Sequence, residues 1–149
     1  MSESRAAAFS AECRVGRLVE ARLGWVNDEA DVQRFLVHLR SAFSITRDSV
    51  ICADWRSAVV LPPAASDALL DLLRQGNRHF ERSAVLLAAE DATFGLQVER
   101  LVREAQNRAR RTFRAVDPLL HWLGEVLTPA ELKRAAEFIA LGPAQRTLR

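Results

Sequence analysis

The stretch SVICADWRSAVVLPPAASDALLDLLRQGNRHF, residues 49–80, combines an apolar run, a loop with a double proline and a leucine-rich segment. Its start, residues 49–53, is continuously apolar, which is typical of a strand covered on both faces of a sheet. Pro62 and Pro63 exclude the interior of a regular strand or helix. From Ser66 onward the leucines recur at helical spacing, so we expect a helix that starts near this serine.

The alternation of strands and helices continues on both sides of this unit. Residues 9–24 read as a β-hairpin with its turn at Gly16, and a helix follows. Residues 83–89 form a second buried strand, and residues 111–116 form a short alternating one. The predicted order is β-β-α-β-α-β-α-β-α-α. We therefore expect a single α/β domain with an N-terminal β-hairpin, about five helices and a mixed, mostly parallel sheet of about four to five strands.

Polar residues in front of the helical segments predict where those helices begin. We expect Asn27 to cap the first helix, Thr93 the third and Asp117 the fourth. Thr128 and Glu131 have the spacing of a capping box, which predicts the start of the last helix.

The length of 149 residues fits one domain. We expect a flexible N-terminus at residues 1–8, the α/β domain at 9–141 and a C-terminal tail at 142–149. No apolar run reaches the roughly 18 residues of a membrane span. The early acidic residue Glu3 does not fit a signal peptide. These features predict a cytoplasmic protein.

Net charge, the spacing of cysteines and histidines, and the missing catalytic motifs argue against several classes of function. The net charge of +2 argues against a protein that binds nucleic acid or membranes over its whole surface. Cys13 and Cys52 are interpreted as two buried free thiols, with a redox pair as the alternative. Neither cysteine nor any of the three histidines has the spacing of a metal site, and no nucleophile, phosphate-loop or dinucleotide motif occurs. We therefore expect no metal, no cofactor and no enzymatic activity.

Several local motifs resemble one bacterial family. They are Asp54-Trp55-Arg56 with the helix from Ser66, and Arg111-Thr-Phe113 followed by Asp117-Pro-Leu-Leu-His-Trp122-Leu123. Together with the element order, they resemble the STAS domains, including the SpoIIAA-like (anti-sigma-factor-antagonist-like) group. The resemblance implies a non-enzymatic regulatory module in bacterial signalling that binds a partner protein, such as a kinase-like protein.

The resemblance also implies a phosphorylation site at Ser66. In the family, a serine at the start of the helix after the central strand is phosphorylated, within an Asp-Ser-Ser/Thr-Gly motif. Here Ser66 occupies that place, the preceding aspartate is missing, and Asp67 stands where glycine is expected. The alternative is that Ser66 only caps the helix.

Asp54, Trp55 and Arg56 are the predicted partner-binding residues, because binding sites gather at the carboxyl ends of parallel strands. In the alternative interpretation, Trp55 covers the sheet edge while Asp54 and Arg56 form local hydrogen bonds.

A second candidate site is a weak anion-binding cluster of arginines. Its members are Arg108, Arg110, Arg111 and Arg114. A solvated helix end is the alternative. Two other functions stay open: a small-ligand or lipid-binding domain of the same fold and, less favoured, a nucleic-acid binder. The edge strand of the N-terminal hairpin would permit a homodimer.

Overall fold

The computed structural model describes residues 8–43, 48–76 and 80–142. These residues form one five-stranded sheet with helices on both faces, which confirms the predicted α/β fold class. The strands are β1 Phe9–Val15, β2 Leu18–Leu23, β3 Ser49–Asp54, β4 Phe80–Leu86 and β5 Arg110–Phe113. The helices are α1 Glu29–Phe43, α2 Pro63–Gly76, α3 Ala92–Ala105, α4 Val116–Gly124 and α5 Pro129–Leu141. Apart from residues 8 and 142, the predicted N-terminal and C-terminal extensions lie outside the described residues.

The sheet has the strand order β1-β2-β3-β4-β5. β1 and β2 are antiparallel, as predicted for the hairpin, and each later strand runs parallel to the one before it. Because the parallel strands follow each other across the sheet through crossovers of one hand, α1, α2 and α3 lie on the same face. The opposite face is covered by α4 and α5.

Each face of the sheet has its own apolar core. On the first face, Phe35 of α1, Leu69 of α2 and Phe94 of α3 are fully buried. On the second face, Leu119 and Leu123 of α4 pack with residues of α5. All six residues of β3 are buried, which explains the uninterrupted apolar run that opens this strand.

Four of the five described helices begin at residues other than those predicted. α2 begins at Pro63 rather than near Ser66, because proline is well suited to the first helical position. In α3 the side chain of Asp91, not Thr93, accepts the Phe94 N–H at 3.0 Å.

The predicted N-caps of α1 and α4 are also wrong. The Asp28 carboxylate accepts the Asp31 N–H at 3.1 Å, so Asp28 rather than Asn27 caps α1. In α4 the N-cap position is Ala115, which has no side-chain cap hydrogen bond, and Asp117 lies within the first turn.

The capping box of α5 is confirmed, and it also ties the helix to the hairpin. The Thr128 hydroxyl accepts the Glu131 N–H at 3.2 Å, and Glu131 Oε1 accepts the Thr128 N–H at 2.9 Å. Glu131 Oε2 in turn accepts the N–H of Arg17 at 2.8 Å, in the turn between β1 and β2. Gly16 in that turn has a φ of +56°, and a Cβ there would overlap the Glu131 carboxylate.

Gly16→Ala should lower the free energy of unfolding by roughly 2–4 kcal/mol, since alanine adopts the left-handed conformation at a cost and also displaces Glu131. Urea unfolding measures the loss. Gly76→Ala is the control, because nothing lies within 4 Å of a Cβ at that position. An equal loss in both variants would contradict this account of the turn.

The bonds to Glu131 should also make stability depend on pH. Burial alone would raise the pKa of this carboxyl, but the backbone N–H groups of Thr128 and Arg17 outweigh burial and lower the pKa. A lowered pKa stabilises the fold above the unfolded-state pKa of about 4.3, and that stability is lost as the pH falls through the folded-state value. The difference in unfolding free energy between wild type and Glu131→Gln should therefore be largest at neutral pH. It should shrink below about pH 4, and a difference that is constant from neutral to acid pH would refute the assignment.

Candidate functional site at the carboxyl end of β3

A buried ion-pair network surrounds Asp54, the last residue of β3. Arg22 is its register partner on β2, so both side chains lie on the face covered by α5. Asp54 Oδ2 accepts a hydrogen bond from Arg22 Nη1 at 2.7 Å and another from Arg56 Nη2 at 2.7 Å. Its Oδ1 accepts from the backbone N–H of Arg56 at 3.1 Å and from Arg56 Nε at 2.9 Å.

Both arginines that bind Asp54 also donate hydrogen bonds to backbone carbonyls at the end of α5. Arg22 Nη2 donates to the Phe138 carbonyl at 2.5 Å, and Arg56 Nη2 donates to the Ile139 carbonyl at 2.8 Å. The Arg22 guanidinium also lies 4.0 Å from the centre of the Phe138 ring. Positive charge at the C-terminal end of a helix is favourable, and the last carbonyls of a helix need donors from outside it. The network therefore fastens α5 to the sheet.

The electrostatics of this network favour a structural role for Asp54. Hydrogen bonding to Asp54 raises the pKa of Arg56, whereas burial lowers the pKa of Arg22 against the attraction of the same carboxylate. Four hydrogen bonds from the two arginines occupy the carboxylate oxygens. A carboxylate held in this way is suited to positioning the loop and the helix.

Trp55 points away from this network into the other core. Its side chain is only 4% exposed and belongs to the cluster beneath α1, α2 and α3. Its indole N–H is buried without a hydrogen-bond partner among the described residues. The predicted partner-binding role of Asp54, Trp55 and Arg56 stays a prediction. The structure places the first two inside the protein and leaves only Arg56 half-buried.

The loop after Trp55 carries exposed apolar side chains that the sequence interpretation missed. Val59 is 37% exposed and Val60 47% exposed. The next residue, Leu61, is held by Gln97 of α3, whose side chain accepts the Leu61 N–H at 2.8 Å and donates to its carbonyl at 3.0 Å. Leu96, beside Gln97, is 66% exposed. The short apolar run at residues 58–61, which follows the polar residues after β3, was the available signal for this surface.

Ser66 lies in the first turn of α2 with its side chain buried. It is 3% exposed, and its hydroxyl has no hydrogen-bond partner among the described residues. The helix starts before it, so Ser66 is not the N-cap. Phosphorylation of Ser66 stays a prediction, and a kinase would reach the hydroxyl only after this turn opened.

The predicted arginine cluster is spread over both faces of the sheet. Arg110 is buried on the α2 side, where it donates to the Leu73 carbonyl at 3.2 Å, and burial lowers its pKa to about 10. Arg111 lies over the Trp122 ring on the opposite face, and Arg114 pairs with Glu99 at 3.1 Å. Arg108 is exposed in the turn before β5. The four side chains do not converge on one anion site.

The two cysteines lie on opposite faces of the sheet. Cys13 is opposite Val19 in β2, whose side chain faces α1, whereas Cys52 is opposite Glu20, which faces α5. Both are free, and β2 separates them, so they do not form a disulfide with each other. Burial raises the pKa of the Cys52 thiol far above its ordinary range, which makes this thiol unreactive.

The empty space in the apolar core beneath α1, α2 and α3 is small. A cavity of about 30 Å³ lies between the sheet and the helices α1 and α2, with Trp55 and Arg110 among its lining residues. This volume holds one or two water molecules, so an acyl chain would enter only if side chains moved. Within residues 8–43, 48–76 and 80–142, no cluster of acidic residues, histidines and cysteines could hold a metal ion. No helix in these segments is long and apolar enough to cross a membrane.

Asp54→Asn should lower the free energy of unfolding by about 2–4 kcal/mol, because it leaves two partly buried guanidinium groups without their counter-charge. Glu104→Gln is the matched control: its ion pair with Arg100 is exposed, and its loss should cost less than about 1 kcal/mol. Urea unfolding of both variants compares the two losses. Equal effects would show that the Asp54 network contributes no more than a surface pair.

In comparisons with known proteins, no protein-family model matched this chain, and no similar curated protein was found. The likeness to the STAS domains therefore stays a resemblance based on motifs and element order.

Proposed function

We propose that this chain is a non-enzymatic regulatory module that binds a partner protein. The docking surface consists of the exposed side chains of Val59, Val60 and Leu96. The observation that carries the proposal is a loop with exposed apolar side chains whose backbone is held at both ends. Exposed apolar groups at the carboxyl end of a parallel sheet stand where binding sites gather in α/β proteins.

The way the loop is held supports this role. At its start, the side chain and backbone N–H of Arg56 are bound by Asp54. At its end, Gln97 bonds both the N–H and the carbonyl of Leu61. A loop fixed in this way loses little conformational entropy on binding, so more of the contact energy becomes affinity.

The predicted site residues then act as support for the docking surface. Trp55 anchors the start of the loop in the core, and Asp54 with Arg56 sets its direction. Ser66 lies just after the loop, so a phosphate there would reposition the loop only by opening the first turn of α2. This arrangement agrees with the regulatory role that the resemblance to STAS domains implies in bacterial signalling.

We also propose that the module works in the cytoplasm. Cys13 and Cys52 are unpaired, and unpaired thiols are typical of a reducing compartment.

Val60→Asp and Leu96→Asp should each weaken partner binding by at least about tenfold, because a carboxylate would have to be desolvated at the centre of the contact. The test has two steps. A photo-crosslinking residue at position 60 captures and identifies the bound protein from cells that encode the chain. Titration of the purified partner then gives the dissociation constant of each variant.

Val37→Asp is the matched control, since Val37 is an exposed valine on α1, away from the docking loop. It should bind the partner as wild type does. Equal binding by all variants would refute the docking surface. A chain that carries a bound small molecule in native mass spectrometry and crosslinks to no protein would refute the proposed function.

A further inference from the structure

Among the described residues, β1 is an edge strand of the sheet. It pairs with β2 on one side, and none of the described residues forms a strand on the other. No residue of β1 is fully buried. An open depression of about 460 Å³ lies between β1 and the C-terminal end of α1. Its lining residues are Ala11, Glu12, Cys13, Arg14, Ser41 and Ala42. An open strand edge presents N–H and carbonyl groups that a further strand can pair with.

The side chains of β1 alternate between two environments. Ala11 and Cys13 lie on the face covered by α1, and Glu12 lies opposite Glu20 on the face covered by α5. The register with β2 shifts between Cys13 and Val15, and the Arg14 side chain reaches the α5 face, where its Nε lies 3.8 Å from Glu20. Glu12 and Arg14 form an ion pair at 2.5 Å, and their side chains are 54% and 56% exposed. The middle of the edge therefore carries one negative and one positive charge, two residues apart, with Cys13 between them.

We propose that a second copy of this chain pairs antiparallel with β1, with the two-fold axis at Cys13. In this register Glu12 of each copy lies opposite Arg14 of the other, so two pairs of opposite charges form across the interface. An axis at Glu12 would place two carboxylates opposite each other. An axis at Ala11 would place Glu12 opposite Ser10 and leave the arginines without a charged partner on the new strand. The charge pattern is self-complementary only around Cys13.

The same register brings the two Cys13 residues together. Directly opposite residues in an antiparallel pair have Cα atoms about 4.5–5.5 Å apart, which is within the range that a disulfide spans. Cys13 is partly exposed, whereas Cys52 is fully buried beneath α5. Cys13 is thus a specific reporter of the proposed interface, and Cys52 is an internal control.

The dimer does not depend on the proposed function. The β1 edge shares no residue with the docking surface formed by Val59, Val60 and Leu96. A failure of either proposal therefore leaves the other standing.

Sedimentation equilibrium of purified full-length chain tests the register through charge reversal. Wild type should dimerise reversibly. Glu12→Arg and Arg14→Glu should each raise the dimer dissociation constant by at least about tenfold, because like charges then face each other. The double variant Glu12→Arg/Arg14→Glu restores opposite pairs and should return to within about threefold of wild type. An equimolar mixture of the two single variants should form a heterodimer for the same reason.

Oxidative crosslinking tests whether the two-fold axis of the dimer lies at Cys13. Diamide accepts two electrons and two protons from a pair of Cys13 thiols and leaves them joined as a disulfide. Wild type and Cys52→Ser should yield a covalent dimer on a non-reducing gel, and Cys13→Ser should yield none. Circular dichroism establishes that each variant is folded. A wild type that stays monomeric at several hundred micromolar, unaltered dimerisation in both single charge variants, or no Cys13 crosslink would overturn the proposal.

Discussion

The buried carboxylate of Asp54 is the constraint on which the arrangement of α5 and of the docking loop depends. An isolated buried charge is strongly unfavourable, so Asp54 needs both Arg22 and Arg56 beside it. Each arginine then uses its remaining donors on a carbonyl at the end of α5. One ionic group therefore links β2, β3, the start of the loop and the last helix.

Further polar contacts of this kind join α5 to the sheet, beside the apolar contacts that Phe138 and Ile139 make there. Arg134 holds the buried Glu20 with two hydrogen bonds, at 2.7 and 2.8 Å, and Glu131 binds the hairpin turn. Buried ion pairs contribute less net stability than apolar packing, but they accept only one geometry. Charged contacts thus act together with apolar packing to position α5 on the sheet. On the opposite face, α1, α2 and α3 are held by apolar packing. The docking loop contacts both faces, because Arg56 belongs to the ion-pair network and Trp55 to the apolar core.

Local patterns in the sequence were sufficient to predict the number and order of the strands, the hairpin turn at Gly16 and the capping box at Thr128, because each depends on residues close together in the chain. The bounds of two strands were wrong: β4 begins three residues before the predicted start at 83, and β5 ends three residues before the predicted end at 116. The surroundings of Asp54 were not predictable in this way. Arg22, which donates to Asp54, and the Ile139 carbonyl, which accepts from Arg56, both come from distant parts of the sequence. The sequence pattern also could not show that Trp55 is buried while Val60 is exposed, since both are apolar residues of one loop and its path decides which of them enters the core.

Hydrogen–deuterium exchange of Asp54→Asn tests the coupling of loop and helix most directly, because it resolves local opening from global unfolding. The account predicts faster exchange at residues 55–62 and in the C-terminal half of α5, with unchanged protection in α3, which makes no contact with the carboxylate. Uniformly faster exchange over the whole chain, or unchanged exchange in α5, would contradict the claim that Asp54 fastens this helix and the docking loop to the sheet.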